Sequence, residues 1–269
     1  MSESEPQLRI TDVSKAFGGL QALSNASFGV EAGSITSLIG PNGAGKTTMF
    51  NVVTGFHAGD AGTVHFEGRR IDQKAPHRIA RLGLTRTFQT PRIIRRLTVL
   101  ENLMLAHPSQ VGDHLWSVLT RPGATRRNDR EVRDQADELL RFINLDHLRD
   151  DFAGTLSGGQ RKLLEFGRAL MADPRLVLLD EPMAGVNRTL GRELIGRIHD
   201  LRDERGLTFL IIEHDMEMVM SISDTVVVMN YGGVIATGSA AEVRANPDVI
   251  DAYLGTSAEH DTDAATRSA

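Results

Sequence analysis

Apolar runs bracketed by glycine and polar clusters recur along this chain, and their spacing predicts alternating strands and helices. Leu8, Ile10 and Val13 fall on one face of a first strand, and Ala26–Val30 and Ser34–Ile39 supply two more. Thr47–Thr54 is compatible with a helix, and Ala58–Gly62 marks a turn before a short strand at Thr63–Phe66. From about Thr98 to Leu148 the pattern becomes helical. Leu139, Leu140, Ile143 and Leu148 recur at helical spacings, and Glu131–Arg141 is rich in helix-favouring charged residues. Pro108–Gly112 and Thr120–Asn128 read as loops. Arg161–Ala172 is helical again and leads to the buried-strand pattern Leu176–Leu179. A helix around Thr189–Arg205 and the strands Phe209–Ile212, Val226–Met229 and Val234–Thr237 complete the body. Such alternation predicts a largely parallel α/β sheet, with the all-helical middle inserted as a subdomain. Residues after Leu254 are small, polar and acidic (Ser257, Glu259, Asp261, Asp263), which predicts a mobile tail. No internal repeat is visible.

Composition narrows the class. A chain of 269 residues fits one large domain, or one domain with an inserted subdomain. With 41% hydrophobic and 24% charged residues it has the make-up of an ordinary soluble globular protein. No apolar run approaches the roughly 18 residues of a membrane span. The acidic, polar Met1–Pro6 does not read as a secretory signal. Cysteine is absent, which excludes disulfides and thiol chemistry and is compatible with the cytosol. A formal net charge of −5 gives no expectation of nucleic-acid binding. Arginines do cluster at Arg92, Arg95 and Arg96 and again at Arg126, Arg127 and Arg130. Such clusters usually form a solvated face, but the first lies just beyond Gln89.

The candidate chemistry begins at Gly40-Pro41-Asn42-Gly43-Ala44-Gly45-Lys46-Thr47-Thr48, a complete GxxxxGK[ST] loop between an apolar strand and a helix. Its glycines allow the backbone to curl so that successive N–H groups face phosphate oxygens, and the helix presents its positive N-terminus to the same anion. Lys46 would reach the β- and γ-phosphates, and the Thr47 hydroxyl would ligate Mg²⁺. The strand Leu176–Leu179 ends in Asp180-Glu181. Asp180 suits a Mg²⁺ shell and Glu181 could hold or deprotonate an attacking water. The same two carboxylates, followed by Pro182, would also suit a helix start. Leu156-Ser157-Gly158-Gly159-Gln160-Arg161 precedes another helix and offers a second anion-binding surface, or a plain N-cap. Two anion sites with a single phosphate loop make sense if the second serves a nucleotide held by another copy of the fold.

In this order the motifs resemble those of the ATP-binding subunits of ABC transporters, from about Leu8 to Leu254. The resemblance implies a P-loop NTPase (RecA-like) core with an antiparallel β subdomain and an inserted α-helical subdomain. It assigns residues 1–90 and 156–254 to the core with its β subdomain, 91–155 to the helical subdomain and 255–269 to a tail. It also implies that Phe17 stacks on adenine, that Gly40–Thr48 is the Walker A loop and that Gln89 is the Q-loop glutamine sensing Mg²⁺ and water. Ser157–Gln160 lie in the LSGGQ signature, Asp180 and Glu181 end the Walker B strand, and His214 fits the switch histidine. In such proteins two subunits face head to tail and sandwich two ATP molecules, each between Lys46 of one and Ser157 of the other. Glu181 then polarises water while His214 contacts the γ-phosphate.

A narrower resemblance, to LivG-type importer ATPases, rests on Phe17–Leu20, Arg86–Gln89, Leu97–Asn102, Ile212–Met216 and Asn246–Gly255. It implies uptake of branched-chain amino acids or related small polar solutes. The implied partners are a LivF-like or identical second ATPase, two permeases and, indirectly, an extracytoplasmic binding protein, with the chain at the cytoplasmic membrane face. An exporter ATPase of the lipopolysaccharide type and a non-transport ABC ATPase are the alternatives. Three positions depart from the general pattern: Asn187 where most ABC ATPases carry aspartate, Arg188 where this branch usually has proline, and Phe17 in place of tyrosine.

Overall fold

The structure is a computed structural model that describes residues 5–87, 93–108 and 122–253, the side chains of 122–128 excepted. Its strands are β1 (Leu8–Phe17), β2 (Leu20–Val30), β3 (Ile35–Ile39), β4 (Ala61–Phe66), β5 (Arg69–Arg70) and β6 (Leu84–Arg86). They continue with β7 (Leu176–Asp180), β8 (Thr208–Ile212), β9 (Thr225–Asn230) and β10 (Gly233–Gly238). One four-stranded antiparallel sheet has the order β2-β1-β4-β5. A six-stranded sheet has the order β10-β9-β3-β8-β7-β6, parallel except at its β9–β10 edge.

The apolar runs at 176–179 and 209–212 are strands buried on both faces, as crossover-connected parallel strands require. Alternate residues serve different cores. Leu176, Leu178, Leu210 and Ile212 join a cluster with Leu8, Ile10, Phe50 and Phe66 from the antiparallel sheet and the phosphate-loop helix. Val177, Leu179, Phe209 and Ile211 face a second cluster built from helices. The helix Arg188–Arg205 contributes Leu194, Ile198 and Leu201, and the helix Pro122–Phe142 contributes Val132, Ala136, Leu139 and Leu140, each set along one stripe.

The loop expected at Thr120–Asn128 is corrected in part, because the helix already begins at Pro122. Proline fits a first helical turn, where its missing N–H would have no partner anyway. The helices Met216–Ile222 and Ala240–Ala245 and the first half of β2 also lie outside the sequence expectation.

What matters for function is one edge of the larger sheet. β3, β8, β7 and β6 are adjacent and parallel. Leu38, Ile212 and Asp180 stand in register across three of them. The residues that follow these strands therefore emerge side by side: Gly40, Glu213, Glu181 and Thr87. Open α/β sheets bind ligands beyond such carboxyl ends.

Candidate functional site

The phosphate loop is shaped by glycines that its surroundings demand. Gly40, Gly43 and Gly45 have φ of 147°, 82° and 99°, values that L side chains rarely adopt. A Cβ on Gly40 would overlap the Met229 carbonyl oxygen, and one on Gly45 would lie 2.5 Å from that of Ala22. Main-chain bonds hold the loop from the side: Gly232 donates to the Ala44 carbonyl (3.1 Å) and Ser24 to the Gly232 carbonyl (2.9 Å). Both sheets thus grip one turn. The helix Lys46–Val53 buries Met49, Phe50, Val52 and Val53 and leaves Thr47 exposed. Lys46 Nζ donates to the carbonyls of Gly40 (2.6 Å) and Pro41 (2.9 Å). Its pKa is lowered by desolvation, against which the charges of Glu181 and Asp180 act.

Asp180 is buried and ion-paired. Arg86 donates from one terminal nitrogen to Asp180 Oδ2 (2.7 Å) and from the other to Asn51 Oδ1 (2.7 Å). Its guanidinium also lies 5.4 Å from the centroid of the Phe50 ring. One planar fork therefore links the carboxylate at the end of β7 to the helix that leaves the phosphate loop.

Glu181 follows in the left-handed region, with φ 49°. It is not the start of a helix: residues 181–185 form a turn, and the next helix begins at Arg188. The Glu181 N–H donates to the Ile212 carbonyl (3.0 Å), and the Glu181 carbonyl accepts from Lys162 Nζ (2.8 Å). From the neighbouring strand end, Glu213 is 1% exposed and accepts from the amides of Met183 (3.0 Å) and His214 (3.2 Å). Burial pushes the Glu213 pKa up, while these bonds pull it down. The His214 side chain is largely exposed, with Nδ1 3.8 Å from Glu213 Oε2.

Ser157 is the N-cap of the helix Gly158–Leu170. Its hydroxyl accepts from the Gln160 amide (3.3 Å), and the Gln160 side chain accepts from the Ser157 amide (2.8 Å). Asn187 caps the next long helix by accepting from the Leu190 amide (2.9 Å), a task that asparagine performs as well as aspartate. Phe17 ends β1 and is 43% exposed. It packs edge-on against His57 (5.2 Å between centroids) and has the Lys15 ammonium 5.4 Å from its centroid. Gln89 and Arg92 lie outside the described residues.

The structure thus gathers the phosphate loop, Asp180, Glu181 and His214 at one sheet edge, with Ser157–Gln160 on a helix that reaches this edge through Lys162. Sequence reasoning missed the parts played by Arg86, Asn51, Lys162 and Glu213. Glu213 and Arg86 stand beside or near motif residues, but their partners lie 30 and 94 positions away, which no local pattern reveals.

The chain matches the family described as ABC transporter over residues 23–184. It matches the family described as branched-chain amino acid ATP-binding cassette transporter over residues 234–259. The Probable branched-chain amino acid transport ATP-binding protein LivG of Archaeoglobus fulgidus is 45% identical, over 92% of this chain and 95% of its own length. The High-affinity branched-chain amino acid transport ATP-binding protein LivG of Escherichia coli is 41% identical, over 94% of this chain and 99% of its own. The crystal structure of an ABC-transporter ATP-binding cassette in its ADP conformation aligns with a TM-score of 0.81 at 38% identity, covering 94% of this chain and all of that one. Strand-edge site, cassette fold and full-length similarity agree: the chain belongs to the ATP-binding subunits of ABC transporters, in the LivG-type branch, and is an ATPase of that class.

Proposed function

We propose that this chain binds ATP with Mg²⁺ at its phosphate loop, within a site that a second ATPase subunit completes head to tail. Hydrolysis there drives import of branched-chain amino acids or related small polar solutes. One observation carries the reading. Lys46, Asp180, Glu181 and His214 share a strand edge, whereas Ser157 and Gly158 stand exposed with the cap bonds of Ser157 confined to its own helix start. An anion-binding helix start that its own chain leaves uncovered suits the nucleotide of a neighbour.

The roles follow from the geometry. Lys46 exchanges its two carbonyl acceptors for charged phosphate oxygens, which make stronger hydrogen bonds. The amides of Gly43, Ala44, Gly45, Thr47 and Thr48 are assigned to the same phosphates, with Asn42 exposed in the loop. The donors fit Mg²⁺: Thr47 and Asp180 offer hard oxygens, and no cluster of three acidic or histidine ligands exists among the described residues. That is the sparse protein contribution Mg²⁺ uses when phosphates supply the rest, and Gln89 is assigned to the same shell. Held by Thr47 and Asp180, Mg²⁺ would supply positive charge against the negative charge that develops on the phosphates. Glu181 aligns water and accepts its proton, and the exposed His214 contacts the γ-phosphate. Ser157, Gly158, Gly159 and Gln160 receive the phosphates of the partner's ATP. Phe17 offers an aromatic face to adenine.

The remaining assignments concern the assembly. Residues 1–90 and 156–254 form the ATPase core and 91–155 the helical subdomain. A LivF-like subunit or a second copy pairs with it, and permeases dock on a cavity of about 380 Å³ lined by Thr54, Phe56, His77, Arg86, Ala106 and Arg168. Phe56, which lines this cavity, and Leu105, next to the lining residue Ala106, are exposed apolar residues, and Arg95 and Arg96 are exposed as well. No helix among the described residues is long and apolar enough to cross a membrane, so attachment through such permeases would hold the chain at the cytoplasmic face. Glu181→Gln tests the reading. Turnover of Mg-ATP should fall by about 10²-fold or more with ATP binding retained and ATP-held dimers accumulating. Normal hydrolysis would remove Glu181 from this role.

A further inference from the structure

Two buried or half-buried side chains hold the turn that carries Glu181, one from a helix and one from a neighbouring strand end. One is Lys162, on the helix Gly158–Leu170, whose ammonium donates to the main-chain carbonyls of Glu181 (2.8 Å) and Pro182 (3.5 Å). The other is Glu213, whose two carboxylate oxygens accept from the amides of Met183 (3.0 Å) and His214 (3.2 Å). Cation to carbonyls and carboxylate to amides is the complementary pairing of charge and peptide dipole, and such bonds are the stronger kind. The object of the grip is a glutamate whose φ of 49° is costly for a residue with a side chain. Strained backbone of this kind persists only where its surroundings over-determine it.

We propose that Lys162 and Glu213 are positioning residues that fix the Glu181 turn, and that Lys162 ties this turn to the helix whose first turn holds Ser157. The inference rests on the role of Glu181 given above. Neither side chain needs to touch substrate: each acts on the main chain of a residue that does. Lys162 is five residues past the Ser157 cap, about 7 Å along one rigid helix. A shift of that helix start, where the partner's nucleotide is bound, is thereby transmitted to the carboxylate that serves this chain's own nucleotide. The electrostatics agree with the geometry. Desolvation draws the Lys162 pKa down, against the surrounding carboxylates of Glu213, Glu181, Glu165 and Asp180.

The test compares Lys162→Met, Lys162→Arg and Lys162→Gln with wild type and Glu181→Gln in the transporter complex carrying the full-length chain. Mg-ATP kcat and KM, binding of a fluorescent ATP analogue and Tm are measured on each. Lys162→Met should lose about tenfold or more in kcat, because small misplacements of a reacting group are that costly, while KM and analogue binding stay within about twofold. Lys162→Arg or Lys162→Gln, which keep a donor, should recover most of that kcat. Wild-type kcat in Lys162→Met overturns the proposal, as does a loss that KM, binding or Tm follows in proportion, or one that neither donor variant relieves. Glu181→Gln separates the two failures. Full turnover in Glu181→Gln defeats the functional reading and this inference with it, whereas lost turnover there beside retained turnover in Lys162→Met defeats the inference alone.

Discussion

The chain has two glycine-rich turns suited to phosphate, and they need their glycines for different reasons. In the phosphate loop the need is internal. Gly40 and Gly45 adopt positive φ, and any Cβ there would strike the Met229 or Ala22 carbonyl of the same chain. At the Ser157–Gln160 turn the chain itself asks for much less. Gly158 shows no positive φ and an added Cβ would meet nothing within 4 Å, while Gly159 would press only on the end of the Leu190 side chain. The first turn is glycine because the fold closes around it. Nothing among the described residues demands glycine at Gly158, and close approach of a phosphate from outside would give it a reason.

That contrast can be broken by exchanging each glycine for alanine. Gly45→Ala forces left-handed strain and a backbone overlap at once, so stability should drop by about 4 kcal/mol or more and nucleotide binding should be lost with it. Gly158→Ala should leave Tm unchanged or slightly raised, since alanine is the better helix residue by about 1 kcal/mol. Its defect should instead be in turnover of the assembled pair. Denaturant melts and ATPase rates on both variants decide the matter. Equal loss of stability in the two would erase the distinction.

A second prediction sharpens the internal side of the comparison. The loop helix is tied to Asp180 through Asn51 and Arg86, and both members of the Arg86–Asp180 pair are buried, with side chains 6% and 4% exposed. Arg86→Met keeps much of the apolar stem over Phe50 but leaves a buried carboxylate without its countercharge. The expected cost is about 3 kcal/mol, read from the midpoint of urea unfolding. A loss under about 1 kcal/mol would mean that solvent reaches Asp180 and that the link between loop and carboxylate is weak.

How much of this was legible beforehand depended on distance along the chain. The strand at Leu176–Leu179 and the loop at Gly40–Thr48 announce themselves because run length, glycine spacing and the flanking elements are all local. The first half of β2 does not. Gln21, Ser24 and Asn25 look like loop, yet this segment is a strand because it pairs with β1, as at Ala16↔Gln21. The helix Ala240–Ala245 carried a readable signal, the capping box of Ser239 and Glu242, that its short apolar content obscured. Lys162, Arg86 and Glu213 were beyond reach for a different reason. Each acts on groups brought near by sheet order, and strand order is a tertiary fact that periodicity does not encode.

The smallest expected effect lies beside the exposed turn, at Arg188. It occupies the first position of the helix Arg188–Arg205, and its side chain is exposed. A first-turn N–H has no partner within its helix, so proline would sacrifice little there. The preceding residue, Asn187, already has φ −69° and ψ 158°, the extended conformation that proline imposes on its predecessor. Its cap bond to Leu190 needs no change in that geometry. Arg188→Pro should therefore stabilise the chain by about 0.4–1 kcal/mol, through reduced freedom of the unfolded state, and leave ATP turnover untouched. The same helix carries Leu190, whose side-chain end a Cβ on Gly159 would meet at 2.4 Å. If Arg188→Pro instead lowers turnover at unchanged stability, the helix start must move during the cycle, and the uncovered glycine turn would be coupled to a neighbour that the cap does not hold still.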